Sequence, residues 1–307
     1  MIPIDEAQQI PNIGMGLKII VDQVPGIQVI ATGSASFDLV QHVGEPLTGR
    51  KQTIHLFPLA QMELHNGKSR YDLKRSLRET LIYGSYPDVL LAKSAKEKRA
   101  LLQELVSSYL LKDILALERV KGSAVLFNLV KLLAFQVGQL VSLNELATQL
   151  GLDVKTIARY IDLLEKGFVI HRLGGYSRNL RSEITREAKY YFLDNGIRNG
   201  VIGRFDSLDN RDDQGALWEN FLLAERVKWA SYHGWYGSRY FWRTYDGQEI
   251  DFIEENEGEL AAFEAKWSST KGKKVPHAWI SAYPQASYKV ITPENYLDFV
   301  MEPMEER

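Results

Sequence analysis

Ile2-Pro3-Ile4-Asp5-Glu6 reads as a short apolar strand that ends in two acids. A second strand, Ile27-Gln28-Val29-Ile30-Ala31, runs into Thr32-Gly33-Ser34. β-Branched residues between turn formers favour strands here. An acid pair at the end of one core strand can hold Mg²⁺ and orient a water, and a polar residue ending the next strand can sense a phosphate. An acid pair at a strand end is also a common turn cap, so order and company must separate the two readings.

The arrangement resembles the second half of a nucleotide-hydrolysing P-loop domain. The first half would carry G-x-x-x-x-G-K-[ST], whose backbone amides wrap the phosphates while its Lys reaches the outer ones. Gly67-Lys68-Ser69 supplies the last three positions, but Met62 stands where the first Gly belongs. Gly44 and Gly49 have the right separation, yet Arg50-Lys51 follows them. The expectation is an ATPase-like core without its ATP-gripping end, so ATP is not expected to bind this chain alone. A natural protein with an upstream P-loop would restore the ATPase reading.

At 307 residues, two or three domains are expected. No apolar run approaches the roughly 18 residues that span a bilayer, and no signal peptide opens the sequence, so a cytoplasmic protein without a membrane partner is expected. The absence of cysteine excludes disulfides and thiolate metal sites. The net charge of −2 hides a split. Residues 1–60 carry 3 basic and 5 acidic side chains, residues 61–203 carry 22 and 15, and residues 204–307 carry 12 and 19. A basic middle segment can track phosphates, and it can equally be a set of solvated helix faces.

Ile4-Asp5-Glu6-Ala7-Gln8, Ala31-Thr32-Gly33-Ser34-Ala35-Ser36, Leu47-Thr48-Gly49-Arg50 and Leu56-Phe57-Pro58-Leu59 follow one another in the order seen in a widespread prokaryotic group. The chain resembles these AAA+-like ATPases, which are fused to a C-terminal domain of unknown function similar to PD-(D/E)xK nucleases. The resemblance implies that Asp5 is the Mg²⁺-associated acid, Glu6 the water-activating base, Ser34 the sensor and Arg50 an arginine finger. It departs from the family in the missing P-loop portion.

Residues 61–121 read as a helical connector, with three-and-four apolar spacing over Tyr71–Tyr83 and Lys96–Leu117 and a turn at Gly84-Ser85-Tyr86-Pro87. Residues 122–203 read as a winged helix. Helices are expected over Ala124–Phe135, Asn144–Leu150 (capped by Ser142 and closed by Gly151) and Val154–Lys166. A hairpin follows, from Phe168-Val169-Ile170 through a tight turn at Gly174-Gly175 back to Tyr190–Leu193. In a winged helix the second helix of the helix–turn–helix enters a major groove. Its exposed residues would be Lys155, Thr156, Arg159 and Tyr160, with Arg172, Arg178, Arg181 and Arg186 on or after the wing. Many such units dock only proteins, so both DNA and protein partners stay open.

In residues 204–307, Trp218–Trp229 reads as a helix with Glu219 on its inward face. Tyr240–Arg243 and Glu249–Ile253 pair around the Asp246-Gly247 turn, and Leu260–Lys266 is the next strand. A helix Glu, a strand Asp and Glu-x-Lys on the neighbouring strand resemble the PD-(D/E)xK core, with Ile250 in place of its proline. Side chains alternate along a strand, so Glu264 and Lys266 share a face. Asp251 can meet Glu264 across one strand spacing, where both carboxylates would hold Mg²⁺ and Lys266 would position a water. Glu219 would complete the set. A plain same-face ion pair is the rival explanation of Glu-x-Lys. Lys271, Lys273 and Lys274 form a basic loop nearby, and the six histidines show no zinc spacing.

The expected fold is therefore α/β and multidomain. It comprises a partial AAA+-like core (1–60), a helical connector (61–121), a winged helix (122–203) and a restriction-endonuclease-like α/β domain (204–307). Two functions follow from different classes: a DNA-directed, Mg²⁺-dependent nuclease-like protein, or a non-catalytic DNA- or protein-binding adaptor. The open strands of residues 1–60 suit self-association or another protein chain.

Overall fold

Ile2–Ile4 (β1) and Val29–Ala31 (β2) lie parallel, with Ile2 opposite Val29 and Ile4 opposite Ala31. Parallel neighbours need a crossover, and Ile13–Gln23 (α1) lies in that connection. Its Ile13 and Leu17 bury with Ala7 and Leu47 against one side of the sheet. The computed structural model describes residues 1–33, 47, 49–110, 123–177, 188–268 and 275–302. Ser34, Arg178, Arg181, Arg186 and the loop lysines 271, 273 and 274 lie outside the described residues.

Gln61–His65 (α2), Arg70–Tyr83 (α3), Pro87–Leu91 (α4) and Ala95–Glu104 (α5) form the connector. Local chemistry sets their starts. Ser69 Oγ accepts the Asp72 N–H at 3.1 Å while Asp72 takes the Ser69 N–H, a reciprocal cap that Ser94 and Glu97 repeat at α5. Pro87 opens α4 at a position where no N–H is needed. The helix expected over Lys96–Leu117 ends as an α-helix at Glu104 and widens to a π-helix over Leu105–Leu110.

Next come Ser123–Phe135 (α6), Leu140–Val141 (β3), Leu143–Leu150 (α7) and Val154–Lys166 (α8). Ser142 accepts the Glu145 N–H, and Gly151 ends α7 with φ 65°, as their residue types predict. Ile170–Gly175 (β4) and Ala188–Phe192 (β5) pair antiparallel, and Asn195–Ile202 (α9) follows. The tight turn expected at Gly174-Gly175 is not there. β4 runs through both glycines, which pair in parallel with Tyr240 and Phe241. Glycine within a strand marks close backbone approach, and here it lets the Phe241 ring lie against Gly175.

Gln214–His233 (α10) leads into Ser238–Arg243 (β6), Glu249–Asn256 (β7), Glu259–Ala265 (β8), His277–Ala282 (α11), Ser287–Ile291 (β9) and Tyr296–Met301 (α12). β3, β5, β4, β6, β7, β8 and β9, in that order, make one seven-stranded sheet. It is mixed: β4–β6 and β8–β9 are parallel, the rest antiparallel. The sheet crosses the expected boundary at residue 203. So does the core, which joins Leu73 and Leu81 of α3 to Phe192, Trp218, Phe252 and Tyr296. A second cluster, with Trp242, Ile250, Ile253, Ala262 and Trp279, covers the opposite face of β6–β8.

Candidate functional site

In the N-terminal sheet, Asp5 is exposed at the end of β1 and accepts a hydrogen bond from the Thr32 hydroxyl at the end of β2. The two strand ends therefore meet. Glu6 turns the chain with φ 48° into a short 3₁₀ helix at Ala7–Gln9. Arg50 is ion-paired with Asp22 near the end of α1, and its side chain is 55% exposed.

On α8, Lys155 and Arg159 are exposed, and Arg172 is exposed on β4. Thr156 donates both its N–H and its hydroxyl to Asp153, at 2.9 and 2.7 Å, so that the Asp153 carboxylate caps the helix. Tyr160 requires a correction: it is only 4% exposed and sits in the core with Ile157, Ile161 and Leu164. The apolar stripe at three-and-four spacing takes in position 160, and an aromatic ring gains more from burial than from solvent.

A break in strand register sets the direction of Asp251. Tyr240 pairs with Ile253 and Trp242 with Ile250, so Asp251 and Phe252 together stand opposite Phe241 alone. Such a bulge rotates the side chains beside it. Ile250 and Ile253 both enter the cluster on one face, while Asp251 and Phe252 both turn toward α10. There they bound a cavity of about 20 Å³ with Tyr191, Glu219, Phe263 and Ala265. Strict alternation would have separated Asp251 from Phe252.

Pairing of β7 with β8 ends at Phe252–Phe263, and one residue further Asp251 and Glu264 occupy facing positions. The Asp251 carboxylate accepts the Ala265 N–H at 2.9 Å, in place of the next backbone pairing. Glu264 is fully buried, and Lys266 Nζ lies 2.7 Å from its Oε1, the same-face contact read from Glu-x-Lys. Glu219 projects inward from α10, as expected, and accepts the Tyr191 hydroxyl at 2.5 Å. Gly138 packs so closely that a Cβ there would lie 3.3 Å from Glu219 Oε1.

Lys189 and Glu249 were not singled out by their residue pattern. Lys189 Nζ, at 2% side-chain exposure, is 2.6 Å from Glu249 Oε1 and 3.3 Å from Glu219 Oε1. The available signal was period two along β5. Lys189 and Tyr191 share a face, and a lysine inside an apolar strand needs a counter-charge.

Electrostatics follow from this burial. Desolvation, then the charges of Glu219 and Glu264, push Asp251 up to about 7, although Lys189 and the Ala265 N–H favour its ionised form. Burial pulls Lys189 down, but Glu219, Glu249 and Asp251 more than reverse this and leave it above the ordinary lysine value. Burial and the charge of Glu219 raise the Tyr191 phenol. Tyr288 on β9 is raised by burial, Glu264 and Asp251.

Among the described residues, no three His, Asp or Glu side chains stand together as a metal-holding group. The donors on neighbouring strands are the pair Asp251 and Glu264. Their oxygens suit a hard divalent cation, which commonly takes one or two carboxylates and fills its shell with water and phosphate. Among the described residues, no helix is long and apolar enough to cross a membrane.

Comparison with known proteins finds three family models along the chain. Residues 1–65 match a family model described as an AAA domain, residues 74–208 one described as a domain of unknown function (DUF8612), and residues 214–301 another of unknown function (DUF4143). An uncharacterized protein of Mycobacterium tuberculosis is 30% identical over 274 residues, which cover 88% of this chain and 59% of that protein. An uncharacterized protein of Haemophilus influenzae is 30% identical over 186 residues, 57% of this chain and 46% of its own length. One from Methanocaldococcus jannaschii is 24% identical over 241 residues, 72% and 51% of the respective chains. The chain spans about half to three-fifths of these relatives. No solved structure matches it. The chain thus carries an N-terminal match to an AAA domain and a C-terminal match to a domain of unknown function, and its relatives are themselves uncharacterized.

Proposed function

We propose that this chain is a DNA-directed protein of AAA-type ancestry whose C-terminal unit is a Mg²⁺-dependent phosphodiester-cleaving site of the PD-(D/E)xK kind. The facing positions of Asp251 and Glu264 on neighbouring strands carry the reading, with the Glu264 charge acting on Asp251 and Lys266 Nζ 2.7 Å from Glu264. Asp251 and Glu264 would hold the cation, with Glu219 behind them. A bound Mg²⁺ would offset the charge that grows on the phosphate. Lys266 would orient a water through Nζ, and Glu264, 2.7 Å away, aims that nitrogen. In hydrolysis the water's hydroxyl joins phosphorus, the P–O bond breaks and the departing oxygen takes the proton.

Targeting is assigned to residues 123–192. Their order of helix, strand, two helices and a two-stranded hairpin supports a winged helix. Lys155 and Arg159 would meet DNA from α8, and Arg172 from β4. Asp5, Glu6, Ser34 and Arg50 are assigned to an ATPase remnant, and residues 1–60 to contact with a protein partner. ATP hydrolysis by this chain alone is not part of the proposal.

The competing reading is a non-catalytic adaptor with degenerate ATPase and nuclease folds. One observation favours it: Lys189 and Lys266 already neutralise charge among the acids. The test is cleavage of single- and double-stranded DNA with Mg²⁺ or Mn²⁺, comparing wild type with Lys266→Ala and Asp251→Asn. Metal-dependent cleavage lost in both variants establishes the site. No cleavage by the wild type on any substrate leaves the adaptor.

A further inference from the structure

The acids of the C-terminal unit do not form one uniform cluster. Asp251 and Glu264 lie at the ends of β7 and β8, next to Lys266. Glu219 and Glu249 instead converge on one point from α10 and β7, and that point is the ammonium of Lys189, at 3.3 and 2.6 Å. Lys189 arrives from β5, on the far side of β4 and β6 in the sheet. Its stem passes the Phe241 ring, with Nζ 5.5 Å from the ring centre. The remaining contacts on Glu219 come from the same side: the Tyr191 hydroxyl and the tight approach of Gly138.

A buried ammonium held between two carboxylates is an expensive arrangement. Each ion loses its hydration, and the pairing must offset several kcal/mol per ion. Charge balance explains what Lys189 accomplishes there. Glu219, Glu249, Asp251 and Glu264 provide four acids, and Lys266 engages only Glu264. A divalent cation at Asp251 and Glu264 leaves Glu219 and Glu249 to other cations: Lys189 lies between them, and the half-exposed Arg243 reaches only Glu249, at 3.8 Å. Many phosphodiester-cleaving sites supply a second metal ion, roughly 3.5–4 Å from the first.

We infer that Lys189 is an internal counter-cation, a positioning residue whose ammonium takes the place of a second metal ion between Glu219 and Glu249, so that the site accepts one divalent cation. The inference rests on the reading of Asp251 and Glu264 as cation ligands. It further assigns Glu219 and Glu249 to holding Lys189 rather than the metal. Because Lys189 and Tyr191 come from the hairpin of the DNA-reading unit, the acidic site is complete only when both units are docked.

The test is Mn²⁺ binding to the full chain, by calorimetry and by Mn²⁺ electron paramagnetic resonance, which reports spin coupling between neighbouring ions. Wild type should bind one equivalent. Lys189→Met keeps the apolar stem, removes the ammonium and should bind a second equivalent with a spin-coupled signal. Lys189→Arg should restore single binding. One uncoupled equivalent in Lys189→Met, with unchanged affinity, overturns the inference and leaves the cation site standing. Two equivalents in wild type overturn it as well. No binding to wild type overturns the underlying reading and this inference with it. If Lys189→Met fails to fold, Glu249→Gln decides. Its Mn²⁺ affinity should stay within about threefold of wild type, whereas a loss of about tenfold or more, the scale of a perturbed metal site, makes Glu249 a ligand and rejects the assignment.

Discussion

Asp5 directly follows a strand and Asp251 lies within one, each near a second carboxylate-bearing residue, yet their surroundings differ in nearly every physical respect. Asp5 ends a strand of a two-stranded sheet, exposed to water and tied to the Thr32 hydroxyl. Asp251 sits at a bulge in a seven-stranded sheet covered by α10, where burial and two other acids raise it to about 7. Parallel strands are ordinarily covered on both faces. Among the described residues, the buried side chains around β1 and β2 are Ala7, Ile13, Leu17 and Leu47, while Ile30, Met15 and Ile19 are exposed. The same residue type is therefore hydrated in one region and desolvated among other acids in the other. Packing around the acid makes the difference.

Core deletion probes that contrast most strongly. Phe263 packs against Phe252 and Phe299 beneath the site. Phe263→Ala should cost about 3–5 kcal/mol in denaturant unfolding. Ile30→Ala, at a side chain 48% exposed, should cost less than about 1 kcal/mol. Comparable losses would remove the distinction between the two sheets.

Titration gives the next largest effect. The folded-state value of Asp251 lies above its ordinary 3.8, so the fold favours the protonated form. That contribution is complete below about pH 4 and is lost as the pH rises through about 7. In metal-free protein, Asp251→Asn should remove this loss. The wild-type melting temperature should therefore fall by several degrees relative to the variant between pH 4 and pH 8. Parallel pH profiles would place Asp251 in water, like Asp5.

His171 extends the test to a base, with the opposite sign. Burial, helped by the Arg239 charge, lowers it from 6.5 to about 4, so folding favours the neutral ring. Its contribution is present above pH 6.5 and is lost as the pH falls through 4. His171→Gln should flatten acid unfolding in that window, read by circular dichroism.

The smallest effect belongs to the N-terminal sheet. Arg50 and Asp22 form an exposed ion pair, so Arg50→Ala should change stability by less than about 1 kcal/mol, and less still at high salt. A larger loss would show that residues 1–60 are held by more than the contacts described here.

Much of the architecture was legible from residue order, because it rests on interactions between near neighbours. Ser142 and Gly151 bracket α7 by satisfying its end groups, and Glu264 meets Lys266 because strand side chains repeat every second residue. Glu219 faces inward because its helix packs the neighbouring Leu222 and Leu223 against the sheet. Only the tertiary structure decided the rest. Tyr160 left the candidate DNA face because the apolar stripe of α8 wraps far enough to bury it. Gly174 and Gly175 became sheet rather than turn because Tyr240 and Phe241 of β6 pair with them. The bulge at Asp251 and the reach of Lys189 depend on which strands lie side by side. Periodicity is a property of one segment, whereas register and charge pairing belong to two. The identities of the acids were therefore written in the chain, and their meeting was decided by the sheet.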